Sequence, residues 1–168
     1  RNFYKPSKVQ NEFTVKECID TLLHMVKNQY DTENIKIEFS SDDIVITNYE
    51  NELKQSILNI LNNAKDALED INSQKYIFIE TISKNDKVII KIKDNAGGID
   101  NELIKKVFEP YTTTKYQSLG TGLGLNITYN FIVEGMKGKI SVDNTTFVYA
   151  NAEYTGCEFT VVFDNYLR

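Results

Sequence analysis

One stretch of the chain, residues 94–125, combines an isolated acidic side chain with two groups of glycines. Asp94 ends an apolar run and is followed closely by Gly97 and Gly98. A long, mostly polar segment then leads to the second group, which comprises Gly120, Gly122 and Gly124. Glycine permits positive φ and a close approach of the backbone to a ligand, and exposed amides at a helix start bind anions. The spacing therefore predicts a site for a phosphate-bearing ligand, with a cover between the two groups of glycines.

Asp94 has the chemistry to recognise a particular base. A buried carboxylate only accepts hydrogen bonds, so it can take one from the exocyclic amine of adenine. Guanine has a carbonyl at that position, and two facing acceptors would cost at least ~1–3 kcal/mol. We therefore expect Asp94 to select ATP over GTP, although an aspartate before Asn95 is also typical of a simple turn.

A helix predicted over residues 50–71 presents asparagines beside its apolar stripe. The stripe consists of Leu53, Ile57, Ile60, Leu61, Ala64, Ala67, Leu68 and Ile71. Asn59, Asn63 and Asp66 lie on the neighbouring face, with Asn63 at the edge of the apolar arc. Because asparagine is a poor helix former, its repeated use indicates either an ordinary polar face or amide oxygens that bind Mg²⁺ carrying phosphates.

The segment between the two groups of glycines has the features of a lid. Residues 100–107 can form a short helix, which ends before Pro110 because proline cannot continue a helix interior. Residues 112–119 are polar, lack periodicity and are long for a connection, as functional lids often are. A further helix, predicted from about Leu123 to near Gly135, then begins at the second group of glycines.

The remaining elements form a frame of helices and strands around these residues. A capping box of Thr14 and Glu17 begins a first helix, which is predicted to end near Asn28. Six strands, the third and fourth forming a hairpin, are predicted over residues 35–39, 44–47, 76–82, 88–93, 139–143 and 157–163. We can assign no role to the connection over residues 145–155. His24, the only histidine, has no titrating partner beside it and is predicted to be an ordinary helical residue.

Composition limits the class of protein. A chain of 168 residues with 41% hydrophobic residues fits one domain with its own core. The net charge of -5 and the pI of about 5.0 argue against a nucleic-acid-binding protein, although Lys105, Lys106 and Lys115 can still meet phosphate. Cys18 and Cys157 are isolated thiols, and no apolar run approaches the ~20 residues of a membrane span. We therefore expect a cytoplasmic segment that does not enter a membrane.

The order of the motifs separates this chain from other nucleotide-binding proteins. It lacks the Walker pattern, the glycine spacing of a dinucleotide fingerprint and a protein-kinase catalytic loop. Four motifs instead resemble, in order, the boxes of the catalytic ATP-binding domain of sensor histidine kinases, in the GHKL group that includes gyrase, Hsp90 and MutL. They are the N box at 59–64 (NILNNA), the G1 box at 94–98 (DNAGG), the F box at 108–115 (FEPYTTTK) and the G2 box at 120–124 (GTGLG).

The resemblance covers nearly the whole chain and implies a role for each motif. Asp94 would hold the adenine amine, and Asn63, together with Asn59, would bind Mg²⁺. Lys115 would lie near the γ-phosphate when the lid closes, so Asn63 and Lys115 are the residues expected to act in catalysis. The nucleotide would also contact residues of the two glycine boxes, namely Gly98, Gly120, Thr121, Gly122, Leu123 and Gly124.

The resemblance also implies the fold. This is an α/β (α+β) two-layer sandwich in which a mixed, mainly antiparallel sheet packs under three helices, the Bergerat-type ATP-binding fold. Two sites depart from the family pattern. Ala96 replaces the middle glycine of the G1 box, for which we expect little loss. Asp66 and Ala67 stand where many relatives have a lysine and a tyrosine, which argues against a second phosphate-binding cation from this helix.

In this family the phosphate acceptor is a histidine on a separate helical hairpin, next to an acidic residue, and the sequence around His24 does not resemble that motif. We therefore expect residues 13–168 to bind Mg-ATP and to donate its γ-phosphate to a histidine elsewhere. Residues 1–12 would be the linker from the upstream domain that dimerises and carries the acceptor.

The resemblance implies partners as well as a reaction. They are the dimerisation and histidine-phosphotransfer domain of the same parent protein and, downstream, the receiver domain of a response regulator. The parent is expected to be a homodimer and the isolated domain a monomer, which binds neither nucleic acid nor a membrane. The alternatives are a GHKL ATPase whose cycle drives a conformational change and a module that senses ATP without catalysis.

Overall fold

A computed structural model of the chain describes residues 9–110 and 124–165. Its strands are β1 (Asn11–Thr14), β2 (Ile35–Ser41), β3 (Val45–Asn48), β4 (Lys75–Lys84), β5 (Lys87–Asp94), β6 (Lys139–Tyr149) and β7 (Ala152–Asp164). Its helices are α1 (Val15–Thr32), α2 (Glu50–Leu68), α3 (Asn101–Ile104) and α4 (Gly124–Tyr129), and α4 continues as a π-helical segment, Asn130–Gly135. Across the described ranges, none of the helices combines the length and the apolar composition that crossing a membrane requires.

Five of the strands form one sheet in the order β2-β4-β5-β7-β6, and β1 and β3 form a separate antiparallel pair. β2 and β4 are parallel, whereas the other neighbours in the sheet are antiparallel. α2 packs on β4 and β5 and contacts α1, α4 and the π-helical segment. The predicted two-layer sandwich, with a mixed, mainly antiparallel sheet under three helices, is confirmed.

α2 supplies much of the core between the two layers. Its predicted apolar stripe is buried at Leu53, Ile57, Ile60, Leu61, Ala64, Ala67 and Leu68. The helix ends at Leu68, three residues before the predicted end. Glu69 and Asp70 are exposed, so they add no packing that would extend the helix into the next turn.

α1 begins where its sequence predicts, because the Thr14 side-chain oxygen accepts a hydrogen bond of 3.2 Å from the Glu17 amide. The helix runs to Thr32, one turn beyond the predicted end. Tyr30 is buried in this extra turn, and Asn34, with a φ of 61°, reverses the chain after it. His24 is exposed on α1, as expected of an ordinary helical residue.

The connection between the last two predicted strands is itself part of a long hairpin. β6 and β7 pair without interruption from Lys139 with Val162 to Tyr149 with Ala152, around a turn at Ala150 and Asn151. Both turn residues have positive φ, 50° and 65°, as the tight turns favoured in hairpins require. This turn is hard to predict from its residues, because alanine seldom takes positive φ.

The tip of this hairpin lies across the face of the sheet that carries no helices. β2 and β6 are the two opposite edges of the sheet, yet the Tyr149 hydroxyl donates a hydrogen bond of 2.8 Å to the Glu38 carboxylate on β2. Tyr149 also packs edge-on against Tyr76 and Phe78 of β4, and the Lys93 ammonium lies 4.0 Å from the centre of the Phe147 ring. These contacts cover part of the outer face with aromatic side chains.

Neither Cys18 nor Cys157 forms a disulfide, and both side chains have almost no solvent exposure. Burial raises the pKa of the Cys18 thiol to about 12, so little reactive thiolate is present near neutral pH. We expect a colorimetric thiol reagent at pH 8 to label neither cysteine in the folded chain and to label both in guanidinium. Rapid labelling of the folded chain would contradict this burial.

Candidate functional site

Asp94 is the last residue of β5, and its side chain is only 2% exposed. Side chains alternate along β5, so Asp94 lies on the same face as the buried Ile90 and Ile92, under the helices. Its Oδ1 atom accepts hydrogen bonds from the backbone amides of Ala96, at 2.9 Å, and Cys157, at 3.3 Å. The carboxylate is therefore held in one orientation by the backbone on both sides of it.

A glycine on the neighbouring strand makes this arrangement possible. A Cβ atom on Gly156 would lie 1.8 Å from the Asp94 carbonyl oxygen and 2.8 Å from its Oδ1. The Gly97 amide also donates a hydrogen bond of 2.8 Å to the Thr155 carbonyl, so β7 continues to pair with the chain after β5 ends. Sequence reasoning missed Gly156, although a glycine inside a strand often marks a close backbone approach.

The loop after Asp94 contains the backbone conformations that its glycines predict. Gly97 and Gly98 have φ values of 97° and 83°. The Asn95 side chain, 6% exposed, accepts a hydrogen bond of 2.8 Å from the Tyr76 amide and donates one of 2.7 Å to the Gln74 carbonyl. Asn95 thus connects the start of the loop to the start of β4 through hydrogen bonds, whereas a simple turn residue would bond only to its own loop.

Asn63 of α2 is completely buried. Its Nδ2 atom donates a hydrogen bond of 2.7 Å to the Asn59 carbonyl, which fixes the orientation of the amide. Its Oδ1 atom is buried and has no hydrogen-bond partner among the described residues. Such an acceptor costs about 1–3 kcal/mol, and a bound ion or water is a common explanation.

Asn59 contributes to the site in a different way. Its Nδ2 atom donates hydrogen bonds to the Gly124 carbonyl, at 3.2 Å, and to the Thr128 hydroxyl, at 3.1 Å. Its Oδ1 atom accepts one of 2.9 Å from Gln55. Asn59 therefore ties α2 to the start of α4, the helix that follows the second group of glycines.

The two asparagines differ in their fit to Mg²⁺. A magnesium ion prefers oxygen ligands and takes few of them from the protein. Asn63 offers a buried amide oxygen that nothing in the described part of the chain satisfies, so it fits such an ion. The Asn59 oxygen would first have to release Gln55, an exposed partner.

Five of the predicted site residues lie outside the described residues: Lys115, Gly120, Thr121, Gly122 and Leu123. The described residues on the two sides of this segment contact each other. The Asn126 side chain of α4 donates a hydrogen bond of 3.0 Å to the Phe108 carbonyl, and the Phe108 ring packs on Tyr129 with centroids 5.7 Å apart. Gly124 is the first residue of α4, as the position of the second group of glycines predicts.

Asp66, the departure from the family pattern on α2, belongs to a small charged cluster. Lys65 lies 3.4 Å from Glu33 and 3.7 Å from Asp66. Burial raises the pKa of Asp66, and the neighbouring Lys65 opposes that shift. Lys65 thus pairs with two carboxylates, that of Glu33 just after α1 and that of Asp66 on α2.

Comparison with known proteins identifies the family of this chain. The family model described as histidine kinase-, DNA gyrase B-, and HSP90-like ATPase matches residues 48–166. Sporulation kinase A of Bacillus subtilis (strain 168) is 31% identical over 138 residues, which are 81% of this chain and 22% of that protein. The chain thus spans about a fifth of the length of this relative.

Two solved structures have the same fold. The nucleotide-free catalytic domain of histidine kinase ThkA superposes with a TM-score of 0.76 at 26% identity, covering 93% of this chain and 95% of that one. Histidine kinase ThkA in complex with the response regulator protein TrrA gives a TM-score of 0.72 at 23% identity, covering 94% and 42%. The chain therefore belongs to the histidine kinase-, DNA gyrase B-, and HSP90-like ATPase family, and within it is a catalytic domain of the sensor histidine kinase type.

Proposed function

We propose that this domain binds ATP together with Mg²⁺ and donates the γ-phosphate to a histidine on a separate helical domain of its parent protein. The observation that carries the proposal is the carboxylate of Asp94, buried at a strand end and oriented by the Ala96 and Cys157 amides. A carboxylate fixed in this way accepts a hydrogen bond from the amine of adenine and rejects the carbonyl of guanine.

The phosphates would lie toward the other half of the site. Asn63 would hold the magnesium ion through its buried Oδ1 atom, and the ion, when bound, would neutralise charge on the phosphates. Asn59 would keep the start of α4 in place, so that Gly124 and the preceding residues of the G2 box face the phosphates. Gly98, Gly120, Thr121, Gly122 and Leu123 complete the nucleotide contacts in this proposal.

Transfer needs positioning and charge neutralisation more than a protein nucleophile. The bond between the γ-phosphorus and its bridging oxygen breaks and ADP leaves. A bond forms to the unprotonated nitrogen of the imidazole, and the proton on the other nitrogen passes to the acidic residue expected beside the acceptor histidine. Lys115 would stabilise the transferred group from the lid. His24 is exposed on α1 and is not the acceptor in this proposal.

The parent protein is proposed to be a homodimeric sensor kinase of a two-component system. Its dimerisation and phosphotransfer domain would present the acceptor histidine, and a response regulator would receive the phosphate next, as the complex of ThkA with TrrA suggests. We place the domain in the cytoplasm, where ATP is available. Its net charge of -5 gives no support to a nucleic-acid partner.

Phosphate transfer can be tested directly with the helical acceptor hairpin of the parent protein. We expect the chain, the hairpin and ATP labelled on its γ-phosphate to give a labelled hairpin whose phosphate is stable to base and labile to acid, as phosphohistidine is. A hairpin with glutamine in place of the acceptor histidine should remain unlabelled. Release of free phosphate alone would favour an ATPase, and ATP binding without either product would favour an ATP sensor.

A further inference from the structure

Asn144 of β6 contacts the loop that follows Asp94, although the two lie far apart in the sequence. Its Oδ1 atom accepts a hydrogen bond of 2.9 Å from the Ile99 amide. Its Nδ2 atom donates one of 2.7 Å to the carbonyl of the same residue. One side chain thus pairs with both backbone groups of Ile99, as a neighbouring strand would.

Other residues lie close to the Asn144 side chain and leave room for this contact. A Cβ atom on Gly98 would lie 2.7 Å from Asn144 Oδ1, and Gly98 has a φ of 83°, so a side chain there would be both strained and crowded. Asn144 also lies 3.4 Å from the Asn101 side-chain oxygen and 3.4 Å from the Cys157 sulfur. Gly98, assigned to the nucleotide by resemblance, therefore has a second physical reason to be glycine.

Asn144 completes a loop that is held at both ends. Asn95 fastens its start to β4 through Tyr76 and Gln74, and Asn144 fastens its end to β6. Between the two lies the Ala96 amide, which donates to the Asp94 carboxylate. Movement of the loop would therefore change the direction in which that carboxylate points.

We propose that Asn144 is a positioning residue for base recognition, which acts by holding residues 96–99 so that the Ala96 amide keeps Asp94 oriented toward adenine. This inference rests on the proposed binding of ATP. Asn144 is exposed, so water can replace its hydrogen bonds when it is removed, and its loss affects the loop more than the core.

The test replaces Asn144 by leucine, whose side chain has the same branched arrangement of heavy atoms and makes no hydrogen bonds, in the full 168-residue chain. We expect the dissociation constant for ATP to rise roughly five- to tenfold, as the loss of two modest hydrogen bonds allows. The melting temperature should stay within about 3 °C of the unmodified chain. Asp143→Leu, at the exposed neighbouring position on β6, is the matched control and should bind ATP normally.

Two further readouts separate positioning from a general structural effect. In the Asp94→Asn background, Asn144→Leu should weaken ATP binding less than about twofold, because there is no carboxylate left to orient. A purine nucleoside triphosphate without the 6-amino group should bind the Asn144→Leu variant as well as it binds the unmodified chain. Equal losses for both nucleotides, or full additivity with Asp94→Asn, would overturn the proposal.

The outcomes also distinguish this inference from the proposed function. If the unmodified chain binds no ATP, the proposed function fails and the role of Asn144 fails with it. If the unmodified chain binds ATP and Asn144→Leu binds it equally well, only the role of Asn144 is wrong. Asn144→Ser, which adds no apolar surface to β6, gives the same comparison should the leucine variant fold poorly.

Discussion

Asp94→Asn is expected to weaken ATP binding roughly ten- to hundredfold while leaving the domain folded. We expect an effect of this size because the substitution removes a hydrogen bond to a charged group. Asparagine keeps one oxygen that can accept from the Ala96 and Cys157 amides, which now hold the carboxylate. It exchanges the other oxygen for an NH₂ group, which would face the adenine amine as donor against donor.

The same substitution should change the preference for the base. An NH₂ group can donate to the carbonyl of guanine, so GTP affinity should rise while ATP affinity falls. The ratio of ATP affinity to GTP affinity should therefore fall by a larger factor than ATP affinity does. Calorimetric titration of both nucleotides measures this ratio. Asp164→Asn is the matched control, because Asp164 also ends a strand, but it is exposed and pairs with Lys87 at 2.6 Å. Near-normal ATP affinity in Asp94→Asn would overturn the assignment of the base site.

Asn63→Ala is expected to abolish most of the effect of Mg²⁺ and to spare recognition of adenine. The substitution removes the buried Oδ1 atom that has no partner among the described residues. Alanine is also a better helix former than asparagine, so stability should be retained or rise. Mg²⁺-dependent transfer should fall at least about tenfold, the lower end of what even outer-shell changes cost a metal site.

The measurement is the ATP dissociation constant with and without Mg²⁺, together with the rate of transfer to the acceptor hairpin. Asn62→Ala is the matched control, since Asn62 is the adjacent residue on α2 and its side chain accepts from Tyr30 at 3.4 Å, away from Asn63. It should leave the Mg²⁺ dependence unchanged. Transfer that survives Asn63→Ala at the normal rate would show that the metal is held elsewhere.

The sequence by itself determined most of the elements and the identity of the central motifs, but it did not predict β1 or the full length of β6 and β7. Periodicity gave the apolar stripe of α2 and the β4–β5 hairpin, since both depend on contacts between residues near in the chain. The cap at Thr14 and the positive φ of Gly97 and Gly98 are equally local. The place of Asp94 at the end of its strand followed from the same patterns.

Only the tertiary structure decided how these motifs work together. Asn59 and Asn63 look alike in the sequence, but their contacts differ. The Asn59 amide donates to the Gly124 carbonyl of α4, whereas the Asn63 oxygen has no hydrogen-bond partner in the described part of the chain, and the different roles that we propose for them rest on this difference. Gly156 and Asn144 reach the Asp94 loop from β7 and β6, more than forty residues later in the chain. The folded tip of the β6–β7 hairpin likewise depends on β2, at the far edge of the sheet. Such contacts have no periodic signature, because sheet pairing joins residues at arbitrary separations along the chain.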